Sequence, residues 1–173
     1  MTCPTHRSPT PLDSAVAQIP RGLFLVAASW EGHRTGVLAQ WVQQCSLRPP
    51  MIMIAMERGQ PIEPLIRDSR NFVICQIARD DRLIPRKFAA PPERGDDPFV
   101  SIDCLAAPSG SPVPRDSVAY LDCELVCQLE LEADHRVFVG HVLHGEVMNQ
   151  ADPAIFFGLN GSSEVHGDGS SQR

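Results

Sequence analysis

Hydrophobic positions along the chain fall into six short runs, rich in β-branched and aromatic side chains and bounded by Gly, Pro, Asp or Asn. Runs of this kind are typical of β-strands. Three other segments carry apolar residues at helical spacing and begin near Pro or Asp, which predicts short helices. The predicted strands cover residues 22–29, 35–42, 50–56, 71–78, 117–132 and 135–148, and the predicted helices cover residues 11–19, 60–69 and 80–89.

Six strands with few, short helices disfavour a doubly wound parallel sheet. They favour a closed or partly closed barrel, because closure leaves no long strand edge exposed. We therefore expect a mainly β fold, a β-barrel with peripheral helices. Residues 87–117 contain Pro and Gly too often for long regular elements, and we expect them to form an extended flap over the barrel.

The length and composition of the chain predict one folded domain. Its 173 residues, 43% of them hydrophobic, suffice for one sizeable core and are too few for two comfortable domains. Residues 1–11 hold three prolines and no apolar period, and residues 162–173 are polar and rich in Gly and Ser. We expect loose tails at both of these ends and a folded domain over residues 12–161.

The charge balance limits the classes of partner. The formal net charge is −6, and the densest basic segment, residues 79–87, is diluted by Asp80 and Asp81. Nucleic-acid binders usually carry a basic face, so nucleic acid is not expected as a partner. No run approaches the roughly 20 apolar residues of a membrane helix, and residues 1–15 lack the apolar centre of a secretory signal. The expectation is a soluble, cytoplasmic protein that does not enter a membrane.

Common catalytic and metal-binding signatures do not occur. The sequence has no GxGxxG, GxxxxGK[ST], HExxH or GxSxG, which removes the sequence marks of several enzyme classes. Most of the six cysteines lie in apolar runs, where reduced thiols behave as small hydrophobic groups. On a regular strand, Cys123 and Cys127 would share one face about 13 Å apart, too far for one zinc ion. We expect core thiols and no metal site.

Residues 36–56 form a mostly uncharged stretch that is unusually polar between two apolar strands. Gln40, Gln43 and Gln44 offer amide donors and acceptors, Trp41 offers a flat surface, and the prolines at 49–50 fix the chain direction. These groups suit a neutral heteroaromatic ligand such as a flavin ring. A polar strand end with a packed tryptophan is the alternative interpretation.

A basic residue follows at the end of the next predicted strand. Arg58, directly before Gly59, is suited to neutralise a phosphate group, and we expect the Ser46 hydroxyl beside it.

Several ordered blocks of the sequence resemble the flavin reductase-like FMN-binding split-barrel family. The segment "GVLAQWVQQCSLRPPMIMIAMERGQPIEPL" is similar to the branch whose modules accompany rubredoxin or diiron flavoproteins and carry W-V-x-Q-x-S-x-x-P-P. "ADHRVFVGHVLHGEV" looks like the family's G-D-H-x-x-x-x-G-x-V strand, and "DPAIFFGLNG" looks like its closing strand. Cys75 and Ala133 depart from the family pattern, where Asn and Gly are usual. The resemblance covers roughly residues 15–161.

The resemblance implies a six-stranded Greek-key barrel that forms a homodimer and holds FMN, or FAD, at the subunit interface. It places His135 near the nicotinamide of NADH or NADPH, and Arg58 and Gly59 near the flavin phosphate. The remaining implied flavin contacts are Gln40, Trp41, Val42, Gln43 and Ser46, with Leu47, Arg48 and Pro50 completing the turn.

Three functional hypotheses follow. The first is an NAD(P)H-dependent flavin reductase, in which the flavin carries the chemistry and the protein supplies orientation and hydrogen bonds. His135 would orient the nicotinamide or relay a proton, although a plain strand histidine is the alternative. The second is a flavoredoxin-like electron carrier that exchanges electrons with a redox partner protein or a flavin-dependent enzyme. The third is an interaction module that has lost its ligand.

Overall fold

The computed structural model describes residues 9–92 and 96–156. Residues 1–8 of the predicted N-terminal tail (residues 1–11), the predicted C-terminal tail at residues 162–173, and residues 157–161 of the predicted closing strand lie outside these ranges. Eleven strands and three helices occur within them. The helices are α1 (Pro11–Val16), α2 (Ile62–Ser69) and α3 (Leu83–Lys87), so each of the three predicted helices is confirmed in a shorter form.

Seven antiparallel strands form the main sheet, in the spatial order β3-β2-β6-β9-β10-β5-β4. Two small sheets, β1–β11 and β7–β8, flank it. The mainly β fold expected from the sequence is therefore confirmed. The strands of the main sheet are β2 (Phe24–Trp30), β3 (His33–Ala39), β4 (Trp41–Leu47), β5 (Pro50–Glu57), β6 (Asn71–Gln76), β9 (Ala119–Glu130) and β10 (His135–Val147), and the others are β1 (Arg21–Gly22), β7 (Cys104–Ala106), β8 (Pro112–Pro114) and β11 (Ile155–Phe156).

A bend at Gln40 closes the sheet into a barrel. The strand predicted over residues 35–42 is interrupted at this residue, so the structure divides it between β3, which ends at Ala39, and β4, which begins at Trp41. β3 and β4 are the two end strands of the seven-stranded order, so their direct connection joins the ends of the sheet. If the bent chain from β3 to β4 is taken as one strand, the barrel has the six strands that the sequence predicts.

Side chains on alternating positions of the strands build two hydrophobic clusters. The inner cluster fills the barrel, where Ile54, Phe72 and Phe138 are fully buried, and α2 covers one end with Ile62 and Ile66. β2 is buried on both faces, because Val26 and Ala28 belong to the inner cluster whereas Leu25 and Ala27 belong to the outer one. We call these the inner and outer clusters below.

The predicted flap, residues 87–117, packs on the outer cluster and contains more regular structure than the sequence indicates. β7 and β8 form a small hairpin within it, with Cys104 opposite Pro114. Phe99 and Val113 of this segment are almost fully buried in the outer cluster. The flap is therefore part of the core on that side of the sheet.

Irregularities in the β9–β10 ladder change which residues share a face. The register shifts between Val139 and Gly140, where Cys127 pairs with Val139 but Leu125 pairs with Gly140. A β-bulge of this kind places one extra residue in a strand and reverses the alternation beyond it. Cys123 is buried inside the barrel, whereas Cys127 faces outward, so the expectation that both lie on one face is wrong.

No helix in the described part of the chain is long and apolar enough to span a membrane.

Close packing at Gly140 generates a stability prediction. A Cβ atom at this position would lie 2.5 Å from Cζ of Phe72 and 2.9 Å from Cβ of Cys123, inside van der Waals contact. We expect Gly140→Ala to lower the free energy of unfolding by about 1–3 kcal/mol through overpacking. Urea denaturation measures this change, with Glu124→Ala on the exposed face of β9 as a control. An unchanged urea midpoint for Gly140→Ala would contradict the close packing of β10 on β6.

Candidate functional site

An apolar surface covers the side of β4, β5, β9 and β10 that points away from the barrel interior. We call this surface the outer face of the barrel. Antiparallel pairing aligns Trp41, Ala55, Val137 and Leu129 in one row across the four strands. Trp41 and Leu129 are each 48% exposed, which is unusual for large apolar side chains in one contiguous row. The second row consists of Gln43, Met53, Val139 and Cys127.

A cleft of about 280 Å³ opens on this face beside the bend at Gln40. The chain between α1 and β1, at Ile19 and Pro20, forms one wall. Gln40 and Gln43 add amide groups at the rim, while Val42 lines the cleft and also packs on the inner cluster. The cleft is lined by Ile19, Pro20, Gly22, Gln40, Trp41, Val42, Gln43, Met53, Ala55 and Val137.

His135 lies at the end of the same face and packs on Trp41. The centroids of the two rings are 4.5 Å apart and the ring planes are tilted by 56°. Nδ1 of His135 lies 2.9 Å from Oδ1 of Asp134. Because a carboxylate only accepts hydrogen bonds, this contact places the ring proton on Nδ1 and leaves Nε2 as an acceptor when the ring is neutral. The structure thus brings His135 together with Trp41, which the sequence did not show.

The predicted contacts around the β4–β5 turn lie away from this cleft. Ser46 pairs with Met51, four residues along β5 from Ala55, which corresponds to a separation of about 13 Å at ~3.3 Å per residue. Leu47 pairs with Pro50, and the exposed Arg48 lies in the turn between them. These four predicted contacts, Ser46, Leu47, Arg48 and Pro50, form a separate group at the far end of the β4–β5 hairpin.

Arg58 and Gly59 lie at the opposite end of β5. Arg58 follows Glu57, seven positions from Met51, so about 23 Å of strand separates it from Ser46. The expectation that Ser46 lies beside Arg58 is therefore wrong within one chain. The two residues are close in sequence, but β5 runs between them as an extended strand.

Arg58 and Gly59 are held by partners within the chain. Arg58 Nη2 lies 3.1 Å from Oε2 of Glu130 and also donates to the carbonyl of Leu131. The Gly59 N–H donates to Oε1 of Glu63 over 2.6 Å. A phosphate at this position would have to replace both acceptors.

An ion-pair network that the sequence did not indicate surrounds this end of the barrel. Arg136 contacts Glu63 on α2 and lies 2.6 Å from Oε1 of Glu130. The hydrogen bond from Arg136 holds the pKa of the Glu130 carboxyl below its usual range. Arg136 directly follows His135, so the network fixes the backbone that presents the imidazole. The pairing of β9 with β10 brings Arg136 to Glu130, and the packing of α2 brings it to Glu63. In the sequence, only the alternation of charges near residues 130–136 could have suggested the first of these contacts.

Among the described cysteines, the two most deeply buried thiols are held in the protonated form. Burial raises the pKa of the Cys123 thiol to about 12, so it stays protonated at neutral pH. Burial also raises the pKa of Cys75 above its usual range. Among residues 9–92 and 96–156, no three His, Cys, Asp or Glu side chains cluster as a metal site would require.

Comparisons with known proteins relate this arrangement to flavin chemistry. The sequence matches the profile of a family described as "Flavin reductase like domain" over residues 16–161. Diflavin flavoprotein A 1 of Synechocystis sp. is 29% identical over 137 residues, which cover 79% of this chain and 24% of that protein. The chain thus spans about a quarter of the length of the curated relatives that it matches.

Solved structures with the same architecture include two bacterial proteins. The NADH:FAD oxidoreductase of Streptomyces globisporus C-1027 superposes with a TM-score of 0.77 at 23% identity, covering 91% of this chain and 92% of that one. A homolog of nitrilotriacetate monooxygenase component B from Mycobacterium thermoresistibile gives a TM-score of 0.77 at 22% identity, covering 92% and 89%. At these identities the likeness concerns the fold, and it confirms the predicted split barrel.

The Asp134–His135 contact generates a prediction on proton binding. The hydrogen bond from His135 holds the pKa of the Asp134 carboxyl below its usual range. We expect His135→Ala to raise this pKa toward the ordinary aspartate value, so that Asp134 takes up its proton at a higher pH as acid is added. Carboxyl-detected NMR titration measures the change, with the Asp103 carboxyl as an internal control. Identical Asp134 titrations in both proteins would show that the contact does not form in solution.

Proposed function

Because the chain belongs to the flavin reductase-like domain family, we propose that it binds FMN on the outer face and passes hydride to it from NADH or NADPH. The tilted ring contact of Trp41 with His135, beside an uncharged, amide-rimmed cleft, is the observation that supports this most strongly. FAD is a second possible flavin, since the Streptomyces globisporus relative is described as an NADH:FAD oxidoreductase.

The residues of the cleft fit a flavin ring. Ala55 and Val137 supply a flat apolar floor, and Trp41 supplies an aromatic wall. Gln40 and Gln43 carry amides that match the alternating donors and acceptors of the flavin edge. The cleft volume of about 280 Å³ lies just below the ordinary range of ligand pockets, as expected for a site with one wall missing.

A second copy of the chain would supply the missing wall. Trp41 and Leu129 are large apolar side chains left about half exposed on the outer face, and Met53 between them is 40% exposed. A contiguous apolar surface of this kind marks an interaction site. In a twofold dimer the same face meets itself, which would also bring the Ser46 turn of one subunit toward the cleft of the other.

His135 is proposed to orient the nicotinamide. A bound flavin supplies the hydride-accepting chemistry, so the chain needs to position groups and exclude water. Asp134 fixes the His135 tautomer and leaves Nε2 as an acceptor for a carboxamide N–H. Trp41 packs against the imidazole and restricts its movement. The phosphate role of Arg58 and Gly59 stays a prediction, and it requires that phosphate replace Glu130 and Glu63 as their partners.

A flavoredoxin-like electron carrier is the second candidate. The relatives named diflavin flavoproteins carry the matching domain as about a quarter of a longer chain, which is consistent with electron exchange with other redox domains. In this alternative the outer face contacts a redox partner protein or a flavin-dependent enzyme, and His135 has no part in hydride transfer.

Anaerobic reduction separates the two candidates. For a reductase, we expect excess NADH or NADPH to bleach the bound FMN at roughly 1–1,000 per second. His135→Ala should slow bleaching or weaken nicotinamide binding and leave FMN affinity within about twofold, because His135 lies on the nicotinamide side of the proposed site. His144→Ala, an exposed histidine farther along β10, serves as the matched control. Flavin that stays yellow for minutes without oxygen would reject the reductase and favour the carrier.

The proposed dimer has its own test. Light scattering of the FMN-loaded protein at micromolar concentration should give twice the 19.0 kDa chain mass. Met53→Glu, which places a charge in the middle of the outer face, should shift the protein toward monomer and weaken FMN binding together. Tight FMN binding by a monomer would rule out a site completed by a second copy.

A further inference from the structure

The helix α1 and the turn after it carry an apolar stripe that stays exposed. Leu12, Val16 and Ile19 follow one another at spacings of four and three residues, which places them on one side of a helix. The Ile19 N–H donates to the carbonyl of Val16 over 3.1 Å, so the turn continues the coil of the helix. The three side chains are 71%, 57% and 61% exposed, and α1 buries none of its own residues within the described part of the chain. We call these three side chains the α1 stripe.

Local sequence signals explain why α1 forms, but they do not explain what holds it in place. Thr10 and Asp13 form a capping box, and Pro11 occupies the first helical position. At six residues, α1 is well below the roughly 12–15 residues at which even isolated Ala-rich helices are marginally stable in water. A helix this short needs a surface to pack on, and its apolar stripe is the side that would meet that surface.

The α1 stripe ends at the wall of the Trp41 cleft. Ile19 belongs to the stripe and also lines the cleft, and Pro20 continues that wall. The chain then enters β1, which lies against β4 at the edge of the seven-stranded sheet. The α1 stripe and the outer face, with its exposed Trp41 and Met53, are therefore neighbouring apolar surfaces. Among the described residues, no charged side chain lines the cleft between them.

The α1 stripe does not pack on the outer face of its own chain. Ile19 brings the two surfaces together, but Leu12 and Val16 remain exposed. Trp41 and Met53 remain exposed as well. Packing within one chain would have removed both sets of apolar surface from water. The stripe therefore needs a matching surface on a second chain, and an identical copy carries one.

Twofold symmetry brings the α1 stripe and the outer face of another copy together. The dimer proposed above turns the Ser46 end of one β4–β5 hairpin toward the cleft of the other subunit, so strand directions reverse across the interface. A twofold axis that does this runs across the strands, and it keeps the β4 edges of both subunits on the same side of the dimer. The α1 helix of one subunit then lies beside the cleft of the other. Because each chain carries one stripe and one cleft, the contact forms twice and the assembly closes.

We propose that α1 is an arm that packs its stripe on Trp41 and Met53 of a second copy and closes the open side of that copy's cleft. This inference rests on the proposed function, because the dimer and the flavin are proposed there. It assigns an element of the chain to the wall that the cleft lacks. The helix gains the surface that its length requires, and the flavin ring gains a cover on the side away from Ala55 and Val137.

NMR of mixed dimers tests the contact directly and does not depend on hydride transfer. One sample carries carbon-13-labelled methyl groups in Leu and Val only, a second carries them in Met only, and both are otherwise deuterated. After subunit exchange, a nuclear Overhauser effect between Leu12 or Val16 and the Met53 methyl can arise only between two copies. We expect both cross-peaks, with and without FMN.

Absence of these cross-peaks from the mixed sample would overturn the proposal. A chain that carries both labels, diluted into unlabelled protein, reports contacts within one chain. Cross-peaks from Leu12 and Val16 to Met53 in that sample alone would identify α1 as a lid on its own cleft.

Substitutions on the two sides of α1 give a matched comparison. Leu12→Gln together with Val16→Gln removes most of the stripe and introduces a good helix former at both positions. Because two such contacts form in each dimer, we expect the dimer dissociation constant from analytical ultracentrifugation to rise roughly tenfold or more. Ser14→Gln, an exposed change on the opposite side of α1, should leave this constant within about twofold. All of these variants should fold, because the three side chains are exposed in the single chain.

The arm and the proposed flavin site fail in different ways. A dimer that binds FMN tightly, and whose association is unaffected by Leu12→Gln with Val16→Gln, would keep the flavin site and reject the arm. Cross-peaks between copies from Leu12 and Val16 in a dimer that binds no FMN would keep the arm and reject the flavin site. A wild-type protein that stays monomeric at micromolar concentration would reject the arm and the dimer together.

Discussion

One residue, Gln40, connects the strands that lie at the two ends of the seven-stranded sheet. This short connection forces the sheet to close, because β3 and β4 cannot move farther apart than a bent chain allows. Closure places Trp41 beside Ala55 and Val137, and it places the start of β3 against α2. The Trp41 cleft is therefore a consequence of this bend.

The ion pairs near His135 act mainly by fixing geometry. Exposed pairs such as Arg58–Glu130 contribute little to stability, typically 0–1 kcal/mol. Arg136 and Glu63 are more buried, and together they tie β10 to the first turn of α2. Because this link holds the backbone next to His135, it couples the position of the imidazole to α2.

The sequence predicted the positions of the strands and helices well. Hydrophobic periodicity, and the Gly, Pro, Asp and Asn residues that end a strand or helix, are local features of the chain. The pattern also selected Gln40, Trp41 and Gln43, which do line one cleft, and His135, which packs on Trp41. The predicted strand over residues 50–56 already lies between Ser46 and Arg58, so the expectation that the two residues lie side by side overlooked the length of an extended strand.

Features that depend on pairing between distant strands escaped prediction. The β-bulge that turns Cys127 outward depends on the register of β9 against β10. The contacts of Arg136 and the partnerless hydroxyl of Thr35 depend on how α2 packs against two strands. None of these features leaves a periodic signal in the sequence.

The central claim is that the flavin ring lies on the outer face beside Trp41. Methyl NMR of the protein during FMN addition tests it, because ring currents shift only methyl groups close to the flavin. The account predicts the largest shifts at Ala55, Met53 and Val137, with Thr35 on β3 and Leu65 on α2 nearly unmoved. Large shifts at Thr35 and Leu65, with Ala55 and Val137 unchanged, would contradict it and place the flavin beside α2.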